Sequence, residues 1–205
     1  MTMPSTVFII DDDAAVRHCL SVICDLAGMP CETFADADAF MRAYRPTRPG
    51  CLVVDQRMPG MTGIEVQRWM AGQEVPLPVI VITGHGDVPL AVAAFRDGAW
   101  DFLEKPFDDE YFLKRVGEAV HHDREMRRKA ADRAGAAVRF RRLSRRERAV
   151  MDLMVRGLAN KLIAEELEIG IRTVESHRAN VLKKMGVMSL SELTRLKLRL
   201  DGKDA

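Results

Sequence analysis

Cysteine is sparse in this chain. Cys19, Cys24, Cys31 and Cys51 are scattered, with no CxxC pair and no histidine cluster nearby. That spacing argues against a zinc site or a disulfide framework and leaves reduced core thiols as the expectation. No uninterrupted apolar run is long enough for a membrane-spanning helix. Met1 to Ser5 lacks the basic and apolar segments of a secretory leader, which points to the cytoplasm and to no membrane partner. No internal repeat or low-complexity tract stands out.

What is present is an ordinary globular composition, 47% hydrophobic and 30% charged over 205 residues, enough for one large domain or two modest ones. The net charge of +1 hides an asymmetry. Residues 1–120 carry 10 basic against 18 acidic side chains, and residues 121–205 carry 21 against 12. An acidic half joined to a basic half suggests one part that takes cations and another that meets nucleic acid.

In the acidic half, short apolar runs alternate with helical patterns. The runs are Val7 to Ile10, Cys31 to Phe34, Cys51 to Val54, Val79 to Ile82 and Phe102-Leu103. Val/Ile-rich runs without polar alternation suit strands buried on both faces of a parallel sheet. The helical stretches carry Val16, Leu20, Ile23 and Ala27, then run over Ala39–Tyr44, Ile64–Met70, Val88–Phe95 and Asp109 to about His122. Five β/α repeats predict a doubly wound α/β domain with a five-stranded parallel sheet in flavodoxin-like order over residues 1–122. Residues 123–142, rich in Ala and Arg, predict a solvated helical linker, with a share in a dimer contact as the sharper alternative.

Residues 143–205 predict an all-α unit of four short helices. Ser144-x-x-Glu147 is a capping box, Asn160–Leu167 a short helix, and Ile171–Met185 a helix closed by Gly186. Ser189-x-x-Glu192 opens the last. A tight turn before the third of these describes a helix-turn-helix.

Chemistry in open α/β sheets gathers at the carboxyl ends of the strands. Asp11, Asp12 and Asp13 end the first run, Asp55 the third, Thr83 the fourth and Lys105 the fifth. Clustered carboxylates favour a hard divalent cation such as Mg²⁺, which bridges to phosphate oxygens. An aspartate nucleophile can form an acyl phosphate. On Ile171–Met185, Ile171, Val174, Val181, Leu182 and Met185 form an apolar side. Arg172, Ser176, Ala179 and Lys183 recur on the opposite face, flanked by Glu175 and Lys184, a pattern that suits either a solvated surface or a helix entering a major groove.

The stretches Ile9-Ile10-Asp11-Asp12-Asp13, Val54-Asp55-Gln56-Arg57-Met58-Pro59-Gly60, Ile82-Thr83-Gly84-His85-Gly86-Asp87 and Phe102-Leu103-Glu104-Lys105-Pro106-Phe107 resemble a response-regulator receiver, the FixJ-type branch in particular. Leu143 to Arg148, Gly157 to Ala164 and Thr173 to Asn180 are similar to the LuxR-type DNA-binding domain that this branch carries. The resemblance implies Asp55 as phosphoacceptor, and Mg²⁺ on Asp11, Asp12, Asp55 and the Arg57 carbonyl. It implies Thr83 and Lys105 on the phosphoryl group, Thr83 and Phe102 as the switch, and a cis Lys105-Pro106 bond. His85 then belongs to the loop after the fourth strand rather than to catalysis. For DNA it implies phosphate contacts near Asn160, Lys161, Thr173 and His177 and base contacts near Glu175, Ser176 and Ala179. Arg172 and Lys183 join them as cations toward the helix ends. Gly170 stands where the family commonly has a Ser or Asp cap. The implied partners are a sensor histidine kinase, promoter DNA, RNA polymerase and a second copy of the chain.

Two other functions fit parts of the pattern. The C-terminal helices could dock a protein instead of DNA, against which their positive charge argues. A phosphohydrolase with an aspartate nucleophile would need a carboxylate two residues later, where Arg57 stands.

Overall fold

The computed structural model describes residues 4–84 and 88–201. His85, Gly86 and Asp87 lie outside the described residues, so the place of His85 in its loop is not among them. The chain divides into two compact units, 1–126 and 127–205.

In the first unit the strands are β1 (Thr6–Ile10), β2 (Cys31–Phe34), β3 (Gly50–Asp55), β4 (Val79–Thr83) and β5 (Asp101–Glu104). They form one parallel sheet in the order β2-β1-β3-β4-β5. The helices are α1 (Ala14–Leu26), α2 (Ala37–Ala43), α3 (Gly63–Ala71), α4 (Val88–Arg96) and α5 (Asp109–Arg141). Every residue of β3 and β4 is buried, as continuous apolar runs demand when both faces are covered. Successive residues face opposite ways, so Phe8, Ile10, Leu52, Val54 and Phe40 build one core while Val7, Ile9, Val53, Ile80 and Phe112 build the other. Helix starts follow local chemistry. Asp13 caps α1 through Ala15 N–H, Asp36 caps α2, and Thr62 with Glu65 makes a capping box for α3.

Several expectations need correcting. The apolar stripe of α1 buries Leu20 and Cys24, while Ala27 is its exposed C-terminal cap. Cys24 and Cys51 are buried thiols, but Cys19 is exposed. The helix beginning at Asp109 does not stop near His122 but runs to Arg141, because no residue in 123–141 breaks it. Nor is the linker segment wholly solvated. Asp123 is buried and accepts a hydrogen bond from Gly50 N–H at 2.9 Å. Gly50 tolerates no side chain, since a Cβ there would sit 1.8 Å from the Thr6 carbonyl oxygen.

In the second unit, α6 (Arg145–Val155), α7 (Asn160–Leu167), α8 (Ile171–Met185) and α9 (Leu190–Leu200) surround a core of Val150, Met151, Met154, Ile163, Val174, Val181, Met185 and Leu193. Ala136 is fully buried in this core, and Phe140 packs against it. The left-handed Glu168, at φ 50°, ends α7 and makes the tight turn into α8.

Candidate functional site

Four strands deliver their last or next residues to one edge of the sheet. Asp11 follows β1, Asp55 ends β3, Thr83 ends β4 and Lys105 follows β5. Lys105 Nζ donates to Asp11 Oδ2 and to Asp55 Oδ1, both at 2.7 Å. The remaining oxygens are also engaged. Asp55 Oδ2 accepts from Arg57 N–H at 2.6 Å, and Asp11 Oδ1 accepts from Asp13 N–H at 2.9 Å. Burial alone would lower the Lys105 pKa, but hydrogen bonds to Asp11 and Asp55, and then their charges, hold it above the ordinary lysine value. The ammonium is therefore a fixed positive charge between two buried carboxylates.

The fifth strand aims that ammonium through the backbone. Lys105 N–H donates to the Thr83 carbonyl at 2.7 Å, and the Lys105-Pro106 bond is cis. Thr83 is fully buried, and half-buried Phe102 packs against the first core. Trp100 lies near the same strand, its ring 4.8 Å from His122 and its buried Nε1–H without a partner.

Asp12 and Asp13 are exposed, and Asp13 serves as the cap of α1. Among the described residues, no three His, Cys, Asp or Glu side chains stand together as a ready metal cage. The donor set still suits a hard cation. Two buried carboxylates share one ammonium, which leaves excess negative charge at an edge lined by oxygens. A cation keeping several waters, as Mg²⁺ does, needs few protein ligands.

Gln56 escaped the sequence analysis. It is buried, its Oε1 accepts from Ile64 N–H at 3.1 Å, and its carbonyl accepts from Gly63 N–H at 3.2 Å. It thereby ties the loop after Asp55 to the start of α3. A Cβ on Gly63 would come within 2.7 Å of the Asp55 carbonyl oxygen. A glutamine beside an aspartate carries no periodic signal, so only the folded register exposes this role.

On the second unit, Lys161, Arg172, Thr173, Glu175, Ser176, Ala179 and Lys183 are exposed, while Asn160 and His177 are half-buried. Neither α7 nor α8 has a side-chain cap, the preceding residues being Ala159 and Gly170. Their first-turn N–H groups are thus left uncovered by capping side chains, the condition under which helix starts accept phosphate. Two details differ from expectation. Ile171 is exposed rather than apolar-facing, because it opens the helix ahead of the buried turn at Val174. Lys184 does not simply flank the exposed face. It donates to buried Glu147 at 2.7 Å, and Glu147 also completes the Ser144 capping box. The Lys184 bond first, and the Ser144 N–H bond next, hold the Glu147 pKa below the usual carboxylate range.

Comparison with known proteins agrees with this division of labour. The family described as response regulator receiver domain matches residues 7–117, and bacterial regulatory proteins of the luxR family match residues 141–197. The chain is 46% identical over 199 residues to the transcriptional regulatory protein FixJ of Bradyrhizobium diazoefficiens, covering 97% of each. The solved structure of the response regulator StyR is similar with TM-score 0.85 at 40% identity, over 95% of this chain and 98% of that one. Full-length FixJ from B. japonicum aligns with TM-score 0.60 at 45% identity, over 99% of this chain and all of that one (100%).

Proposed function

The chain belongs to the FixJ-like two-component response regulators, with a receiver domain and a LuxR-type DNA-binding domain that regulates transcription, and from that premise we propose that Asp55 is its phosphoacceptor. The observation that carries this is the ammonium of Lys105 shared between Asp11 and Asp55 at the carboxyl edge of the sheet. A sensor histidine kinase or a small phosphodonor supplies the phosphoryl group. An oxygen of Asp55 attacks phosphorus, and the donor's phosphoramidate or acyl-phosphate bond breaks.

Asp11, Asp12, Asp55 and the Arg57 carbonyl are the groups that would hold Mg²⁺, which when bound offsets charge on the phosphoryl oxygens. Lys105 supplies a second, permanent positive charge to the same oxygens. Thr83 donates its hydroxyl to them, and Phe102 follows Thr83 as the switch. Slow hydrolysis of the aspartyl phosphate returns the receiver to rest.

Residues 1–122 act as the receiver, 123–142 as the helical linker and 143–205 as the DNA-binding domain, in the cytoplasm. Phosphorylation favours a homodimer through the face from Val88 to Val120, where Val88, Val92 and Phe95 are exposed. Paired α8 helices then read promoter half-sites about one helical turn apart. Asn160, Lys161, Arg172, Thr173, His177 and Lys183 meet phosphates, and Glu175, Ser176 and Ala179 meet bases. RNA polymerase is the downstream partner.

The deciding experiment labels the native chain and Asp55→Asn with acetyl phosphate and Mg²⁺. Label in the native chain and none in the variant is the expected result. Equal labelling of the two refutes the site.

A further inference from the structure

The acidic turn between β1 and α1 is held by a side chain that no part of the proposed reaction uses. Arg17, half-buried in the first turns of α1, donates from Nη1 to the Asp11 carbonyl at 2.7 Å and to the Asp12 carbonyl at 3.0 Å. The same turn is pinned from its other side by Asp13 N–H on Asp11 Oδ1 at 2.9 Å and by Ala15 N–H on Asp13 Oδ1 at 2.7 Å. The main chain of both acidic residues is thus clamped, while the Asp12 side chain stays exposed.

The start of a helix carries partial positive charge and favours acidic neighbours, which the cap Asp13 and the preceding Asp11 and Asp12 supply. The Arg17 guanidinium sits beside that acidic run and spends its hydrogen bonds on the run's main chain.

We propose that Arg17 is a positioning residue of the phosphoryl site, and this rests on the assignment of Asp55 as phosphoacceptor. By fixing the Asp11 and Asp12 carbonyls it holds in place the turn from which both carboxylates project. Without it the turn keeps the bonds from the Asp13 and Ala15 N–H groups, and its Asp11 and Asp12 carbonyls are released from the guanidinium. Groups that orient metal ligands without touching the metal change affinity by about 10- to 100-fold when removed. Arg17 acts through main-chain carbonyls and lies on a half-open surface, which argues for the lower end of that range. Lysine at this position keeps the charge but loses the guanidinium's reach to both carbonyls.

The test uses the full chain and Mg²⁺ alone as the probe, followed by titration calorimetry, with acetyl-phosphate labelling measured across the same Mg²⁺ series. Arg17→Ala is expected to raise the Mg²⁺ dissociation constant about tenfold and to shift the half-maximal Mg²⁺ for labelling equally. The labelling deficit should shrink as Mg²⁺ is raised, and Arg17→Lys should recover only part of the affinity. A Mg²⁺ constant unchanged in Arg17→Ala, with native labelling, overturns the assignment of Arg17 alone. A deficit that persists undiminished at high Mg²⁺ overturns it too, since it places the defect beyond cation binding. If Arg17→Ala does not fold, Arg17→Lys and Arg17→Gln carry the same comparison. A native chain that takes no label overturns the phosphoacceptor assignment itself.

Discussion

Replacing Lys105 with alanine would strip two buried carboxylates of the one ammonium they share, and the loss should be visible in stability before any chemistry is measured. Asp11 and Asp55 are 1% and 7% exposed, and each is 2.7 Å from Lys105 Nζ. Removing one partner of a buried ion pair costs about 3–5 kcal/mol. The lysine side chain retains 22% exposure, so solvent screening places the cost near the lower end, about 3 kcal/mol. For a compact unit of 126 residues, about 4 °C accompanies each kcal/mol, so the receiver transition should fall by about 12 °C. The assay is differential scanning calorimetry at neutral pH in chelator. Mg²⁺ at ten times its dissociation constant should restore about 1.4 kcal/mol. At one fixed Mg²⁺ concentration its stabilising effect should be larger in the variant than in the native chain, because the metal no longer competes with an ammonium. Adding Asp55→Asn to Lys105→Ala should shrink the deficit, since only one buried carboxylate remains. A metal-free Lys105→Ala chain melting within about 2 °C of native would refute the reasoning and mark the lysine contacts as energetically neutral.

Three further outcomes are expected. If Lys161, Arg172 and Lys183 each neutralise one phosphate, three contacts contribute a log–log salt slope of about −2.7 per protomer, and each alanine replacement removes about one unit; a salt-independent complex would favour protein docking instead. The depressed Glu147 pKa means that its stabilising contribution is full above the ordinary glutamate value of about 4.3 and is lost as pH falls through the lower folded value; acid unfolding of Glu147→Gln should show a weaker pH dependence in that window, and an unchanged profile counts against the ion pair. Steady-state fluorescence of Trp69→Phe leaves Trp100 as reporter, and beryllofluoride should shift its spectrum in the native background but not in Asp55→Asn; a flat signal alongside dimerisation in sedimentation removes Trp100 from the switch route.

The parts of the fold legible in the sequence are those governed by neighbours in the chain. Apolar runs without polar alternation marked β3 and β4 because both faces are covered, and Ser144 with Glu147 marked the start of α6 because a capping box is complete within four residues. The bounds of α7 and α8 were equally local, resting on the turn at Glu168 to Gly170 and the stop at Gly186. Asp11, Asp55, Thr83 and Lys105 could be placed at one edge because strand ends in a parallel sheet share a side. What depends on long-range register stayed hidden. The hydrogen bond from Gly50 to Asp123 spans 73 positions, and the Lys184–Glu147 pair spans 37. Neither partner carries a pattern that names the other. Ile171 misled because helical periodicity assigns a face without knowing that the helix begins there. Arg17 and Gln56 act on backbone carbonyls and amides, which a string of side chains does not display.

The double duty of Glu147 also bears on how this regulator could come to recognise new promoters. One carboxylate closes the cap of α6 and holds the end of α8 through Lys184. Position 184 therefore carries an ion pair as well as its place on α8, and a change there is felt in stability as well as on the surface of the helix. On the proposed base contacts, new operator specificity would be explored at Glu175, Ser176 and Ala179, whose side chains are exposed. A directed library confined to those three sites should retain folded members at a far higher rate than one that includes position 184.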